Sequence, residues 1–310
     1  MRTRYLRYRF LVGPTASGKT AVALALDPSV EILSLDSMQV YRGMDVLTAK
    51  PSLGERARRP HHLLDLVDPH EDFDVARWKE EAERVAADVA SRGAVPLFVG
   101  GTGLYLRVLT HGLLEGAPPD PALRRDLHRR VEKEGSGALH RELEAIDPVA
   151  AQRIHPNDAK RVVRAIEVFR MTGCPISVLQ QDWANPRTSL DRTIVGLRWE
   201  RNALHRRIAA RIEAMLGAGL LEEVRRIRDG RGFGREAGKA IGVREALAHL
   251  AGKTTLEELE ASMAKATRDF VRRQRSWFRA YPDLRWIDVS EGDSPDHIAA
   301  RVATRLDLPP

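Results

Sequence analysis

Gly13-Pro14-Thr15-Ala16-Ser17-Gly18-Lys19-Thr20 fits the spacing G-x-x-x-x-G-K-[ST]. Glycines at those positions let backbone N–H groups turn inward on a di- or triphosphate, and the N-terminus of a following helix adds positive potential. Lys19 then reaches the terminal phosphates, and Thr20 offers a hydroxyl to Mg²⁺. Asp36 closes the next apolar run. A carboxylate near such a cradle either supports a metal through water or accepts a proton from a substrate, with helix capping as the plain alternative. A third apolar run ends in Gly100-Gly101-Thr102-Gly103, where an ordinary nucleoside triphosphatase would keep an aspartate for Mg²⁺. None stands there. The loop alone does not choose among kinases, hydrolases and transferases.

Two other groups invite chemistry and are read more simply. His61-His62 with Asp65 reads as a loop between Pro60 and Pro69, because adjacent histidines do not converge on one ion from a helix and no matching cluster follows. Cys174, the only cysteine, cannot close an intrachain disulfide and reads as a small structural residue at a helix exit.

These residues need elements to hold them. Residues 5–12 alternate and then become wholly apolar, as a strand entering a core does, and residues 19–26 read as a helix. Further strands are expected at 30–35 and 95–99. Strands alternating with helices predict an α/β fold: a P-loop, kinase-like parallel sheet with helices on both faces, whose loops converge beyond the strands' carboxyl ends. Pro118-Pro119-Asp120-Pro121 then breaks the pattern, and residues 122–170 carry helical signals. Asn157 is the expected cap of a helix running to Thr172, with Gly173 at its end. Strand character returns at 193–199, helices run from His205 almost to Pro282, and a last strand is expected at 284–289. The expected organisation is a P-loop core domain with C-terminal helices, 1–116 and 191–310, split around a helical insertion, 117–190.

With 310 residues, 43% hydrophobic and 30% charged, the chain suits about two domains and excludes disordered, collagen-like and membrane-spanning classes. Its longest apolar stretches, such as 21–26, fall far short of the roughly 18 residues a bilayer span needs. Phe10-Leu11-Val12 is too short for a secretory signal, so the cytoplasm is the expected location. The net charge is +7, with 42 Arg against 8 Lys. Arginine's planar fork matches phosphate oxygens, which suits a polyanionic partner, although an arginine-rich genome gives the same skew.

Asp36-Ser37-Met38-Gln39-Val40-Tyr41, Gly100-Gly101-Thr102-Gly103-Leu104-Tyr105 and Lys160-Arg161-Val162-Val163-Arg164, in this order after the phosphate loop, together resemble the bacterial tRNA dimethylallyltransferases, or tRNA isopentenyltransferases. The resemblance runs nearly end to end, through His61-His62-Leu63, Ala240-Ile241-Gly242 with Glu245, and residues 268–279 with Trp277-Phe278. Val243 departs from it, standing where the family usually has an aromatic residue.

The resemblance implies transfer of a dimethylallyl group from dimethylallyl diphosphate to the exocyclic amine, N6, of the adenosine immediately 3′ of the anticodon, with release of diphosphate. Gly13, Pro14, Thr15, Ala16, Ser17, Gly18, Lys19 and Thr20 would then hold a leaving group, with Mg²⁺ at Thr20 as the cofactor, and no third-strand aspartate is needed. Asp36 is implied to take the amine proton, Arg211 to contact the diphosphate and Thr102 to touch the target nucleotide; a surface arginine and a capping threonine are the plain alternatives. The adenine must leave its stack to react, so base extrusion into a channel lined by Asp36, Ser37, Met38 and Gln39 is expected. The anticodon stem-loop would meet Lys160, Arg161, Val162, Val163 and Arg164, then Arg268 and Arg272. Helical projection puts Lys160, Arg161 and Arg164 on one face, and Lys265, Arg268, Arg272, Arg275 and Arg279 on another, although a merely solvated charged face is the usual reading. Phe270, Trp277 and Phe278 are expected in the core, and a monomer is expected. A P-loop small-molecule or nucleotide kinase using ATP is the alternative enzyme, and a non-catalytic RNA-binding module would leave Asp36 and the phosphate loop without a role.

Overall fold

The computed structural model describes residues 7–114, 120–184 and 191–309, the side chains of 182–184 excepted. Six strands, β1 (Tyr8–Val12), β2 (Val30–Leu35), β3 (His61–His62), β4 (Val95–Gly100), β5 (Arg192–Trp199) and β6 (Arg285–Val289), form one sheet in the order β3-β2-β4-β1-β5-β6, with every pairing parallel. β2 is buried along its whole length, as an apolar run must be when helices cover both faces of a parallel sheet. Phe10 sits in register with Phe98, and their rings stack at 5.3 Å.

In the sheet unit the helices are α1 (Lys19–Leu24), α2 (Leu53–Arg58), α3 (Val75–Ser91), the start of α4 (Gly103–His111), α10 (Arg201–Gly217), α11 (Leu220–Asp229), α12 (Val243–Leu250), α13 (Leu256–Phe278) and α14 (Pro295–Leu306). The crossover through α1 carries the chain outward from β1 to β2, and the one through α3 brings it back to β4. Right-handed crossovers of opposite direction put their helices on opposite faces. Trp78 of α3 accordingly meets Phe98 edge-on and stacks on Tyr105 at 3.9 Å.

The second compact unit, Val108–Ser189, holds the rest of α4 with α5 (Pro121–Glu134), α6 (Ser136–Ile146), α7 (Pro148–Arg153), α8 (Ala159–Thr172) and α9 (Ile176–Ala184). Its core gathers Leu127, Leu139, Leu143, Val162, Val163 and Ile166. Glu167, fully buried beside them, accepts hydrogen bonds from Arg124 at 2.7 and 3.1 Å and from Arg164 at 2.7 Å.

Several sequence expectations change. The unit boundary falls within α4, at Arg107/Val108, earlier than the break expected after residue 116; that break, with Pro118 and Pro119, and the one expected at 190/191 touch residues outside those described, as do Tyr5 and Leu6 of the first strand. Asp158, not Asn157, caps α8, its carboxylate accepting from the Arg161 N–H; the two residue types cap equally well, so composition could not separate neighbours. His61-His62 is an edge strand in register with Ile32 and Leu33 rather than a loop. His62 Nε2 lies 2.6 Å from Glu31, and His61 Nδ1 bonds the Arg59 carbonyl. Among the described residues no group of three His, Cys, Asp or Glu is arranged to hold a metal ion, and no helix is long and apolar enough to cross a membrane.

Candidate active site

β1 delivers the chain into Gly13 and α1 takes it up at Lys19, so the phosphate loop spans a strand's carboxyl end and a helix's N-terminus. Gly18 caps α1 at φ 85°, a left-handed conformation that glycine adopts without cost, and Ala16 holds φ 62°. Two residues from beyond the helical unit brace the loop. The Trp199 indole donates to the Ser17 carbonyl at 3.0 Å, and Arg207 Nε donates to the Ala16 carbonyl at 2.8 Å while its guanidinium stacks 4.4 Å over the Trp199 ring. Lys19 Nζ donates to the carbonyls of Gly13 at 3.0 Å and Pro14 at 2.8 Å. Burial, reinforced by the Arg211 charge and opposed by Asp36, pulls its ammonium down to about 7.

Asp36 ends β2 beside this loop. Its Oδ1 accepts the Met38 N–H at 2.8 Å, and the Thr102 hydroxyl oxygen accepts the Ser37 N–H at 3.1 Å. The turn after Asp36 is thus fixed from both sides, and Oδ2 accepts no hydrogen bond from a described residue. Asp36 precedes no helix, so the capping alternative falls. The Gln39 carboxamide accepts from Ser34 and donates to the Thr48 and Ala49 carbonyls, which sets its side chain to holding the 48–49 turn.

The glycines of the third loop have a packing reason. A Cβ on Gly100 would lie 2.2 Å from the Leu35 carbonyl oxygen, and one on Gly103 would lie 2.3 Å from Trp277. Only a bare backbone lets β4 and α4 press this closely against β2 and α13.

Two cavities adjoin here. A polar one of about 640 Å³ runs along Thr15 to Ala21 and includes Asp36, Gly101, Arg211 and Gln274. A smaller one of about 230 Å³ is lined by Leu47, Ile208, Ile212, Met215 and Met263 together with Asp36, Thr102 and Arg211. Asp36 and Arg211 therefore line both the cavity along the Gly13–Thr20 loop and the smaller, more apolar one, at whose edge Lys239 and Arg273 also stand. Arg211 donates to the Thr48 carbonyl at 3.5 Å, and burial lowers its guanidinium pKa against the pull of Asp36; it is not the surface arginine of the alternative reading. Thr20 and Asp36 put oxygen donors in the polar cavity, the donor type Mg²⁺ takes alongside phosphate oxygens and water.

The structure brings Lys19, Thr20, Asp36, Thr102 and Arg211 to these adjoining cavities, with Ser37 and Met38 in the apolar one. Gln39 lines the larger cavity as well. Val162 and Val163 are 0% and 2% exposed in the helical core, so their expected contact with RNA does not hold: an apolar stripe at helical spacing packs inward. Lys160 and Arg161 are exposed on α8, while Arg164 is half-buried against Glu167. On α13, Arg268 is half-buried and Arg272 is exposed, ion-paired to Asp269 at 2.6 Å. Phe278 is buried as expected, whereas Phe270 and Trp277 are half-buried, Phe270 lining both cavities.

Sequence reasoning missed Gln274. Its buried carboxamide accepts the Thr15 N–H at 3.0 Å and donates to the Gly101 carbonyl at 3.0 Å, tying the first loop to the third. A polar side chain on the stripe Met263, Thr267, Val271, Phe278 was the available signal. It also missed Glu223 of α11, whose carboxylate accepts the N–H groups of Asp45, Val46 and Leu47 at 2.8 to 2.9 Å and so positions the wall that carries Leu47.

Fold and site define an α/β protein of the P-loop kind, in which the cavity along the Gly13–Thr20 loop adjoins a more apolar one with a carboxylate at the junction. The profile of the family described as IPP transferase matches residues 39–281, and the chain belongs to that family. It is 46% identical to a tRNA dimethylallyltransferase of Anaeromyxobacter dehalogenans over 97% of this chain and 100% of that one. A second tRNA dimethylallyltransferase, from Geobacter metallireducens, is 46% identical over 89% of this chain and 90% of the relative. Among solved structures, a tRNA isopentenylpyrophosphate transferase from Bacillus halodurans superposes with a TM-score of 0.69 at 36% identity, covering 97% of each chain. A eukaryotic dimethylallyltransferase studied while acting on tRNA gives 0.76 at 26% identity, over 98% of this chain and 80% of that one.

Proposed function

We propose that this protein transfers the dimethylallyl group of dimethylallyl diphosphate to N6 of the adenosine immediately 3′ of the anticodon in tRNAs, releasing diphosphate. The observation that carries the reading is the junction of the anion cradle with the apolar pocket at Asp36 and Arg211. The diphosphate lies along Gly13 to Thr20 and the five-carbon chain lies against Leu47, Ile208, Ile212 and Met215. The amine nitrogen attacks the allylic carbon, and the C–O electron pair leaves with the diphosphate. Backbone N–H groups, Lys19 and Arg211 oppose the charge that grows there. Asp36 takes the amine proton on the oxygen that the Met38 N–H leaves unengaged. Thr20 would hold Mg²⁺, which when bound would supply further positive charge against the phosphates.

The adenine must be turned out of its stack to reach Asp36, and Ser37, Met38 and Thr102 line its place. Lys160 and Arg161 of α8 and Arg268 and Arg272 of α13 meet the phosphates of the anticodon stem-loop. The protein works as a monomer in the cytoplasm. A kinase using ATP leaves the apolar pocket without a task, and the similarity to named tRNA dimethylallyltransferases supports the transferase. The test is incubation with unmodified tRNA and labelled dimethylallyl diphosphate, with ATP in a parallel reaction and EDTA in a third. Label should enter RNA at that adenosine and EDTA should suppress it; phosphate transfer from ATP with no label in RNA would establish the kinase instead.

A further inference from the structure

Beside the apolar pocket lies an open groove of about 690 Å³, with Val46, Ala49, Pro51 and the exposed Leu53, Ala214 and Ala218 on its apolar floor and the ion-paired Lys50, Arg56 and Asp65 at its edge. Only Arg211 and Met215 line both it and the 230 Å³ pocket. Arg211 carries a charge that bonds the Thr48 carbonyl and faces Asp36. Met215 supplies the apolar part of the partition, 9% exposed and one helical turn beyond Arg211 on α10. The loop wall on the other side is fixed by Glu223 through three backbone N–H groups, so it does not yield easily to a longer ligand. A methionine side chain fills irregular space closely, and truncating it leaves a gap rather than a collapsed site when rigid walls surround it.

Resting on the transferase reading above, we propose that Met215 sets the length of allylic donor, closing a five-carbon pocket off from the neighbouring groove, whose apolar floor would otherwise take the rest of a ten-carbon chain. The reaction itself is unchanged. With either donor the N6–C bond forms, the allylic C–O bond breaks, diphosphate leaves with the electron pair and the amine proton passes to Asp36.

The test compares kcat/KM for geranyl and dimethylallyl diphosphate, with unmodified tRNA as acceptor. Wild-type protein should favour the five-carbon donor strongly. In Met215→Ala the ratio should move toward the ten-carbon donor by tenfold or more, and in Met215→Val by less. Ala214→Phe added to Met215→Ala refills the neighbouring groove and should restore the preference. Melting curves come first, and if Met215→Ala does not fold, Met215→Val carries the comparison. A folded variant that loses activity on both donors equally, its ratio unmoved, would show Met215 to be mere packing. A wild type that used both donors alike would overturn the gate too. A wild type inactive on dimethylallyl diphosphate would strike down the transferase reading itself, and the gate with it.

Discussion

At the scale of residues, chemistry concentrates on Asp36. One oxygen is committed to the Met38 N–H, which fixes the carboxylate's orientation and leaves the other for a substrate proton. Asp36→Asn keeps the hydrogen bond to Met38 and removes the proton acceptor, so turnover should fall by about 10²- to 10⁴-fold. Binding of tRNA by this variant, followed by filter retention, should be unchanged. Arg211→Gln removes a charge at the cradle's mouth. It should slow transfer by roughly 10²-fold or more, the loss expected when one donor to a developing anion is taken away, as measured in a single-turnover reaction.

The phosphate loop and Asp36 were legible in the sequence because each rests on contiguous residues with a fixed local geometry. Gln274 and Glu223 were not, because each acts on backbone at least 173 residues away, and no local pattern encodes which turn will arrive there. Val162 and Val163 were misread because a motif names neighbours in sequence, whereas a helix sends neighbours to different faces.

Among the elements, α8 joins a packed face to an exposed basic one through Glu167. Burial pushes the Glu167 carboxyl upward, but hydrogen bonds from Arg124 and Arg164 outweigh it and hold the pKa below the ordinary carboxylate value. A depressed carboxylate pKa contributes stability that is present above the unfolded value, about 4.3, and is lost as pH falls through the lower folded value. The helical unit should therefore lose this contribution only in acid. Glu167→Gln should destabilise it by about 1–3 kcal/mol, less than a wholly buried pair would lose because both arginines are partly exposed. Circular dichroism melts should show that loss at pH 7 and show it smaller at a pH below the unfolded value of about 4.3. An equal difference at both values would mean that the ion pairs contribute nothing.

The strand pattern was readable for the same reason that β2 is wholly buried: a parallel strand under helices on both faces is mostly apolar, and its two polar residues, Glu31 and Ser34, are hydrogen-bonded within the fold. β3 escaped notice because two histidines after a proline carry no such run. Its pairing comes from the neighbouring β2, not from its own composition.

Across the whole molecule, arginine dominates the cationic surface, yet many of these arginines are already ion-paired within the chain, Arg272 with Asp269 and Arg161 with Asp158 among them. Net charge therefore overstates the cations ready for phosphate. Arg272→Ala should weaken tRNA binding and reduce the slope of log affinity against log salt by about one contact's worth, roughly 0.7 to 0.9. Titrations at several salt concentrations measure both, and an unchanged slope would leave α13 a solvated face.

The union of cradle, pocket and carboxylate is tested most directly by a crystal structure with tRNA and a non-cleavable thio analogue of dimethylallyl diphosphate. The diphosphate should lie against the backbone N–H groups of Gly13 to Thr20, the five-carbon chain should lie against Ile208 and Met215, and the adenine N6 should sit within hydrogen-bond reach of the free Asp36 oxygen. An adenine still stacked in its loop, or an Asp36 carboxylate turned away from N6 with the diphosphate outside the cradle, would contradict this arrangement.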